Sequence, residues 1–254
     1  MAKPTVAFFK FSSCAGCQLS VLNLEPVLLD LVGTIDIRYF VMAKRENFEG
    51  PYTIGFVEGA VTSPKELLEL KKIREECSIL VAMGSCACHG GLPSIKNYCG
   101  MTQKEMEEKV YTELWDLNSI PAYGIDYYVK VDAYLRGCPM DKGEFVELVK
   151  SALKGVNPLF RNHSICNECK LKENNCLLLQ GIPCMGPVTA AGCGAQCPSR
   201  GRGCEGCRGP ASDCNAASLA RTFADIGLSK DDVVRKFRKY AGNTPEFSKG
   251  AEAL

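Results

Sequence analysis

The chain has 254 residues, 46% of them hydrophobic and 23% charged, with a formal net charge of +1. Its size and apolar content suffice for an ordinary core, which excludes disorder as its overall state and allows one large domain or two smaller ones. Near-neutral charge without a long basic run gives no electrostatic case for nucleic acid or an anionic membrane, so the expected partners are proteins.

Sixteen cysteines are out of proportion to this picture. A chain with a full core has no need of disulfide staples. The opening segment MAKPTVAFFKF lacks the apolar stretch and cleavage site of a secretory leader, no twin-arginine pair is present, and no run of about 18 apolar residues is long enough to span a bilayer. A cytoplasmic location is therefore expected, where thiols stay reduced and clustered cysteines hold metal more often than they pair.

In chain order, TVAFFKF (5–11) reads as a strand, followed by a cysteine-rich turn and an amphipathic stretch from Ser20 to Leu31. IDIRYFVM (35–42) and YTIGFVEGAV (52–61) read as further strands. Ser63-Pro64 then opens a helix from Lys65 to Glu76, with Leu67, Leu68, Leu70 and Ile73 at helical spacing. SILVAMGSC (78–86) has the continuous apolar character of a buried parallel strand, YYVKVDAYLRGCP (127–139) follows, and a helix near Lys142–Leu153 closes the region. This alternation predicts a doubly wound α/β sheet over residues 1–155. Ligands of such sheets sit beyond the carboxyl ends of the strands, where Cys14, Cys17, Cys86 and Cys138 would meet.

From residue 156 the character changes. Nine cysteines lie between Cys166 and Cys214, interleaved with glycines and few large apolar residues, so this region either stays disordered or folds around something it binds. The spacing Cys166-x2-Cys169-x6-Cys176-x7-Cys184-x8-Cys193-x3-Cys197-x6-Cys204-x2-Cys207 divides into two sets of four, matching iron–sulfur clusters held by four thiolates each. Zinc also takes four thiolates from paired Cys-x2-Cys motifs, but three adjoining sites suggest a relay, and zinc does not change valence. Arg200, Arg202 and Arg208 are placed either to tune an anionic cluster or simply to solvate a loop. Ser229 is a candidate N-cap for KDDVVRKFRKY, and the polar end beyond is expected to fray.

The ordered motifs SSCAGCQLSVL, VEGAV, GSCACHGG, RGCP, ICNEC, LLLQGIPCMGP, GCGAQC and CEGC together resemble the small subunit of cytoplasmic nickel-iron hydrogenases, of the NAD(P)-linked hydrogenase or sulfhydrogenase delta type. The resemblance implies a flavodoxin-like domain followed by an irregular, Cys/Gly-rich iron–sulfur domain over 156–254. It implies three 4Fe-4S clusters: a proximal one on Cys14, Cys17, Cys86 and Cys138, a distal one on Cys166, Cys169, Cys176 and Cys184, and a medial one on Cys193, Cys197, Cys204 and Cys207. Such a subunit relays electrons, while the NiFe site lies on a large subunit and flavin and NAD(P) on iron–sulfur reductase subunits. Related readings are a methanogen subunit linked to deazaflavin or heterodisulfide and a cluster subunit of complex I type, although the latter has adjacent cysteines where this chain separates Cys14 from Cys17. His163 is an alternative distal ligand to Cys166. Cys77 and Cys88 read as buried bystanders, and Cys99 and Cys214 as non-ligands in polar surroundings. Glu58 would move protons or simply fix a strand end, and His89 would donate to a cluster sulfur or sit satisfied in its loop.

Overall fold

The computed structural model describes residues 3–25, 27–113 and 118–254. Met1 and Ala2 of the opening segment, and Pro26 within the amphipathic stretch, lie outside them. The chain forms two compact units, Met1–Leu135 and Arg136–Leu254. The division falls earlier than the composition change near residue 155 suggested.

The first unit is built on a five-stranded sheet of β1 (Thr5–Lys10), β2 (Asp36–Phe40), β3 (Tyr52–Glu58), β4 (Cys77–Met83) and β5 (Ala133–Leu135). Every neighbouring pair is parallel, and the order β2-β1-β3-β4-β5 is that of flavodoxin-like folds. Helices α1 (Gly16–Leu22), α2 (Val27–Thr34), α3 (Pro64–Glu76), α4 (Gly84–His89) and α5 (Gln103–Val110) connect and flank the strands. Successive side chains of a strand point to opposite faces, which explains consecutive phenylalanines in β1. Phe8 stacks between Phe40 at 4.4 Å and Phe56 at 5.0 Å on one face. Phe9 meets Tyr39 and Tyr52 on the other, among Val57, Leu70, Ile73 and Leu80.

Helix α3 starts as its sequence signals suggest. Ser63 Oγ accepts from Glu66 N–H, Pro64 occupies the first turn, and Leu70 and Ile73 are buried while Leu68 faces solvent. Three local features differ from expectation. The stretch from Ser20 divides into α1, ending at Leu22, and α2, starting at Val27; β4 ends at Met83, and GSCACH forms α4; only Ala133–Leu135 of the 127–139 segment joins the sheet.

In the second unit, α6 (Lys142–Leu153), α7 (Cys166–Leu171) and three short 3-10 turns precede α8 (Ala216–Asp225), α9 (Lys230–Arg238) and α10 (Pro245–Ala251). Its core resolves the shortage of large apolar residues among the cysteines. Phe223, Phe237 and Phe247 from the last three helices pack with Leu219 and Val233 against Ile165, Met185, Val188 and Ala195 of the cysteine loops. The carboxyl end is therefore structural: Phe247 and Ala251 are buried, and Phe247 meets Phe237 edge-on at 5.7 Å. Ser229 caps α9 by accepting from Asp232 N–H. Phe237→Ala should remove about 3–5 kcal/mol of stability, read as an earlier urea midpoint by circular dichroism, because the ring is fully buried among contacts that cannot close over the void.

Candidate metal centres

At the carboxyl edge of the first unit's sheet, β1 and β3 are adjacent, and the strand order reverses there. The turn after β1 carries Cys14, and Cys17 lies in the first turn of α1, beyond Ala15, whose φ of 65° is unusual for a residue with a side chain. Helix α1 then begins with no side-chain cap of its own. Glu58, the last residue of β3, supplies one from a distance: its carboxylate accepts from Cys17 N–H and Gln18 N–H, each at 3.0 Å. Gln18 in turn donates to Phe9 O. Glu58 is therefore a buried anchor for the Cys17 backbone. Burial pushes its carboxyl up, against the lowering effect of those two N–H bonds.

Cys86 lies in α4, directly beyond β4. Gly91 folds back against it at φ +54°, so close that an added Cβ would strike the Cys86 Cα, N and Sγ atoms. Cys138 follows β5 in the chain and belongs to the second unit. Cys88, two residues from Cys86, turns its thiol into the first unit, donating to Ala82 O and Leu135 O. Cys77 is buried against Gly55, and burial raises its thiol to about 12. His89 is also buried.

Eight of the second unit's nine remaining cysteines act on one another in two overlapping groups, with Cys184 felt in both. Burial pushes the Cys166 thiol up, and Cys184, Cys169 and Cys176 push it in the same direction through their charge. Burial likewise raises Cys184, which feels Cys169 and Cys176. In the other group, burial drives Cys204 well up, with Cys207 adding to the effect. Cys207 is raised to about 11, by burial first and then by Cys193, Cys138 and Cys197. Desolvation, then Cys193, Glu205 and Cys184, raise Cys197. Cys214 stands apart against the helical core, its thiol raised to about 11 by burial and by Glu246. Exposed Cys99 donates to Ile95 O. His163 turns Nδ1 toward Ser164 O at 3.0 Å.

The donor set suits a polynuclear cationic group. Soft sulfurs too crowded to ionise together need iron or a similar ion among them to become thiolates. N–H groups already point at several of these sulfurs, as around clusters: Gly16 N–H toward Cys14, Cys204 N–H toward Cys184, and the Asn174 amide toward Cys169. Among the described residues, no group of three or more histidine, cysteine, aspartate or glutamate side chains has the closeness that a single bound ion requires. Sequence reasoning missed two acids, buried Glu168 and partly buried Glu144. Glu168 lies between Cys166 and Cys169, and its carboxylate accepts from Gly192 N–H at 2.9 Å and Ala195 N–H at 3.3 Å. Its position inside a Cys-x2-Cys pair was the one available signal.

A family model described as NADH ubiquinone oxidoreductase, 20 Kd subunit, matches residues 14–152. The chain belongs to this family. Within it, the chain is of the nickel-iron hydrogenase small-subunit type. Sulfhydrogenase 2 subunit delta of Pyrococcus furiosus is 37% identical, the match covering 92% of this chain and 97% of that protein. It therefore runs on through most of the cysteine-rich tail, beyond the family model. A subunit of the vhu F420-non-reducing hydrogenase of Methanocaldococcus jannaschii is 27% identical over 92% of this chain and 93% of its own length. Among solved structures, an NAD+-reducing NiFe-hydrogenase in the H2-reduced state is 25% identical, with a TM-score of 0.56 over 63% of this chain and 96% of the matched chain. In this family member Glu58→Ala should orphan two buried N–H groups, at about 1–3 kcal/mol each. Thermal unfolding should show the loss, and Glu58→Gln, which keeps one acceptor oxygen, should show less of it.

Proposed function

We propose that the chain is the electron-relay subunit of a NiFe hydrogenase, carrying three 4Fe-4S clusters. Cys14, Cys17, Cys86 and Cys138 hold the proximal cluster, Cys166, Cys169, Cys176 and Cys184 the distal one, and Cys193, Cys197, Cys204 and Cys207 the medial one. What supports this reading is the succession of eight cysteines in the second unit, with N–H groups aimed at Cys184 and Cys169 sulfur and with Cys166 beside Cys169, Cys176 and Cys184. It also supports Cys166 over His163, because Cys166 feels all three partners while His163 is engaged with Ser164 O.

Bound there, the clusters supply one-electron redox centres, and hydrogen itself reacts at a NiFe site on a separate large subunit. This chain's residues bind and insulate. Their thiolates fix the clusters, Glu58 holds the Cys17 backbone, and N–H groups aimed at sulfur lower the cost of its negative charge. The side chains of the second core keep water from the inner faces of both sets. The resemblance to the NAD+-reducing enzyme supports flavin and iron–sulfur reductase subunits as acceptors delivering to NAD(P), in the cytoplasm. No helix among the described residues is long and apolar enough to cross a membrane. The M. jannaschii relative supports a second reading in which the same relay feeds a methanogen-type acceptor.

Copurification of the native complex separates the two readings by the subunits recovered. The chain's own clusters should bring about twelve iron atoms, at about four per cubane. Cys86→Ser should abolish hydrogen-dependent acceptor reduction and cost about four irons, whereas Cys88→Ser should do neither. Cys166→Ser should remove the distal signal, and His163→Ala should leave it intact. A colourless, zinc-rich complex would rule the proposal out.

A further inference from the structure

The second unit contains a chain of charges, centred on buried Arg208 and Glu168, that its cysteines do not account for. Arg208 directly follows Cys207 and is only 2% exposed. Its guanidinium spreads over three segments: Nε donates to Ala191 O at 2.7 Å and Ala190 O at 3.2 Å, Nη1 to Arg136 O at 2.8 Å, and Nη2 to Glu144 Oε1 at 2.6 Å. Ala190 and Ala191 lead into Cys193, and Arg136 leads into Cys138. Glu144 is itself held at the start of α6, where Asp141 Oδ1 accepts from its N–H.

Gly192 joins this pair to a second one. Its N–H donates to Glu168, which also pairs with Arg161 at 3.0 Å. At φ +123°, Gly192 lies so close to Arg208 and Glu144 that any Cβ would displace both. Only glycine fits this junction. Cysteine-bearing segments from three parts of the unit are thus tied to one set of charges.

A buried ion pair is a poor way to gain stability, because desolvation consumes most of the attraction and apolar residues would serve as well. Its presence beside Cys207 calls for another use. We infer that Glu144 and Arg208 are positioning residues that hold the Cys193 and Cys207 segments against that of Cys138, and whose opposed charges set the reduction potential of the redox group on Cys193, Cys197, Cys204 and Cys207. The inference rests on the electron-relay reading above. Arg200 and Arg202, the other two arginines of the loop, are exposed and lack such an arrangement.

The test uses the native complex, with iron analysis and redox titration followed by electron paramagnetic resonance. Wild-type iron is measured first, and its absence overturns the relay reading itself. With iron present, the signal lost in Cys193→Ser marks the relevant group. Arg208→Gln should lower its midpoint potential and Glu144→Gln should raise it. The double variant should return toward wild type, and Arg208→Lys should stay near it, with the distal signal unmoved throughout. A merely structural pair would not give shifts of opposite sign. Unmoved midpoints, or shifts in one direction from both single variants, overturn the inference. If Arg208→Gln does not assemble, Glu144→Gln decides alone: an upward shift supports the inference and an unmoved midpoint overturns it.

Discussion

Sulfur withdrawn from water among other sulfurs is the constraint around which the second unit is arranged. At Cys166, Cys184, Cys204 and Cys207 burial favours the protonated thiol, and neighbouring sulfurs push the same way. Burial of these thiols disfavours the thiolate, so a metal bound among them would release protons and supply the missing attraction. The loops around them bear the marks of this requirement. Ala195, like Ala15 in the first unit, takes a left-handed φ between cysteines, and glycines pass where a methyl group would meet sulfur or charge.

A segment this rich in cysteine and glycine has little apolar surface left for itself. The three carboxyl-terminal helices make up the shortage, sending one phenylalanine each into a cluster whose other side is lined by residues from the cysteine loops. The first unit solves the problem differently. Its sheet has a core of its own, and Cys14, Cys17 and Cys86 follow the carboxyl ends of β1 and β4. Glu58 links β3 to α1 there, tying the sheet to the Cys17 backbone.

Much of this was legible in the sequence, for physical reasons that also mark the limits. β1, β3 and β4 announce themselves because continuous apolar runs survive only in strands covered on both faces. Six-residue α4 is too short to show a period, and it follows β4 without a break, so its cysteine read as the end of the strand. Helix α6 showed its amphipathic pattern, but a pattern does not say which core receives it. Phe145, Leu148 and Val149 are buried in a helix that belongs to the second unit. The cysteine motifs of the second unit stand out in the sequence because their members lie close together along the chain. The charges were not: Glu168 reaches Gly192 across 24 positions and Glu144 reaches Arg208 across 64. Three arginines looked equivalent in the loop, and only burial distinguishes Arg208.

The two sets of the second unit are also unequal across their own width. Cys184 and Cys204 are buried, whereas Cys176 and Cys197 reach the surface. The buried members face each other, since Cys204 N–H donates to Cys184 Sγ at 3.2 Å. One peptide group therefore touches a sulfur of one set while belonging to a ligand of the other. Because both partners are buried, water does not compete for this bond, and it ties the two sets together at their inner edges. The outer edges keep the side-chain freedom of surface residues. Rigidity between sets and latitude at the rim is what a relay needs, because transfer between fixed centres tolerates little change in spacing.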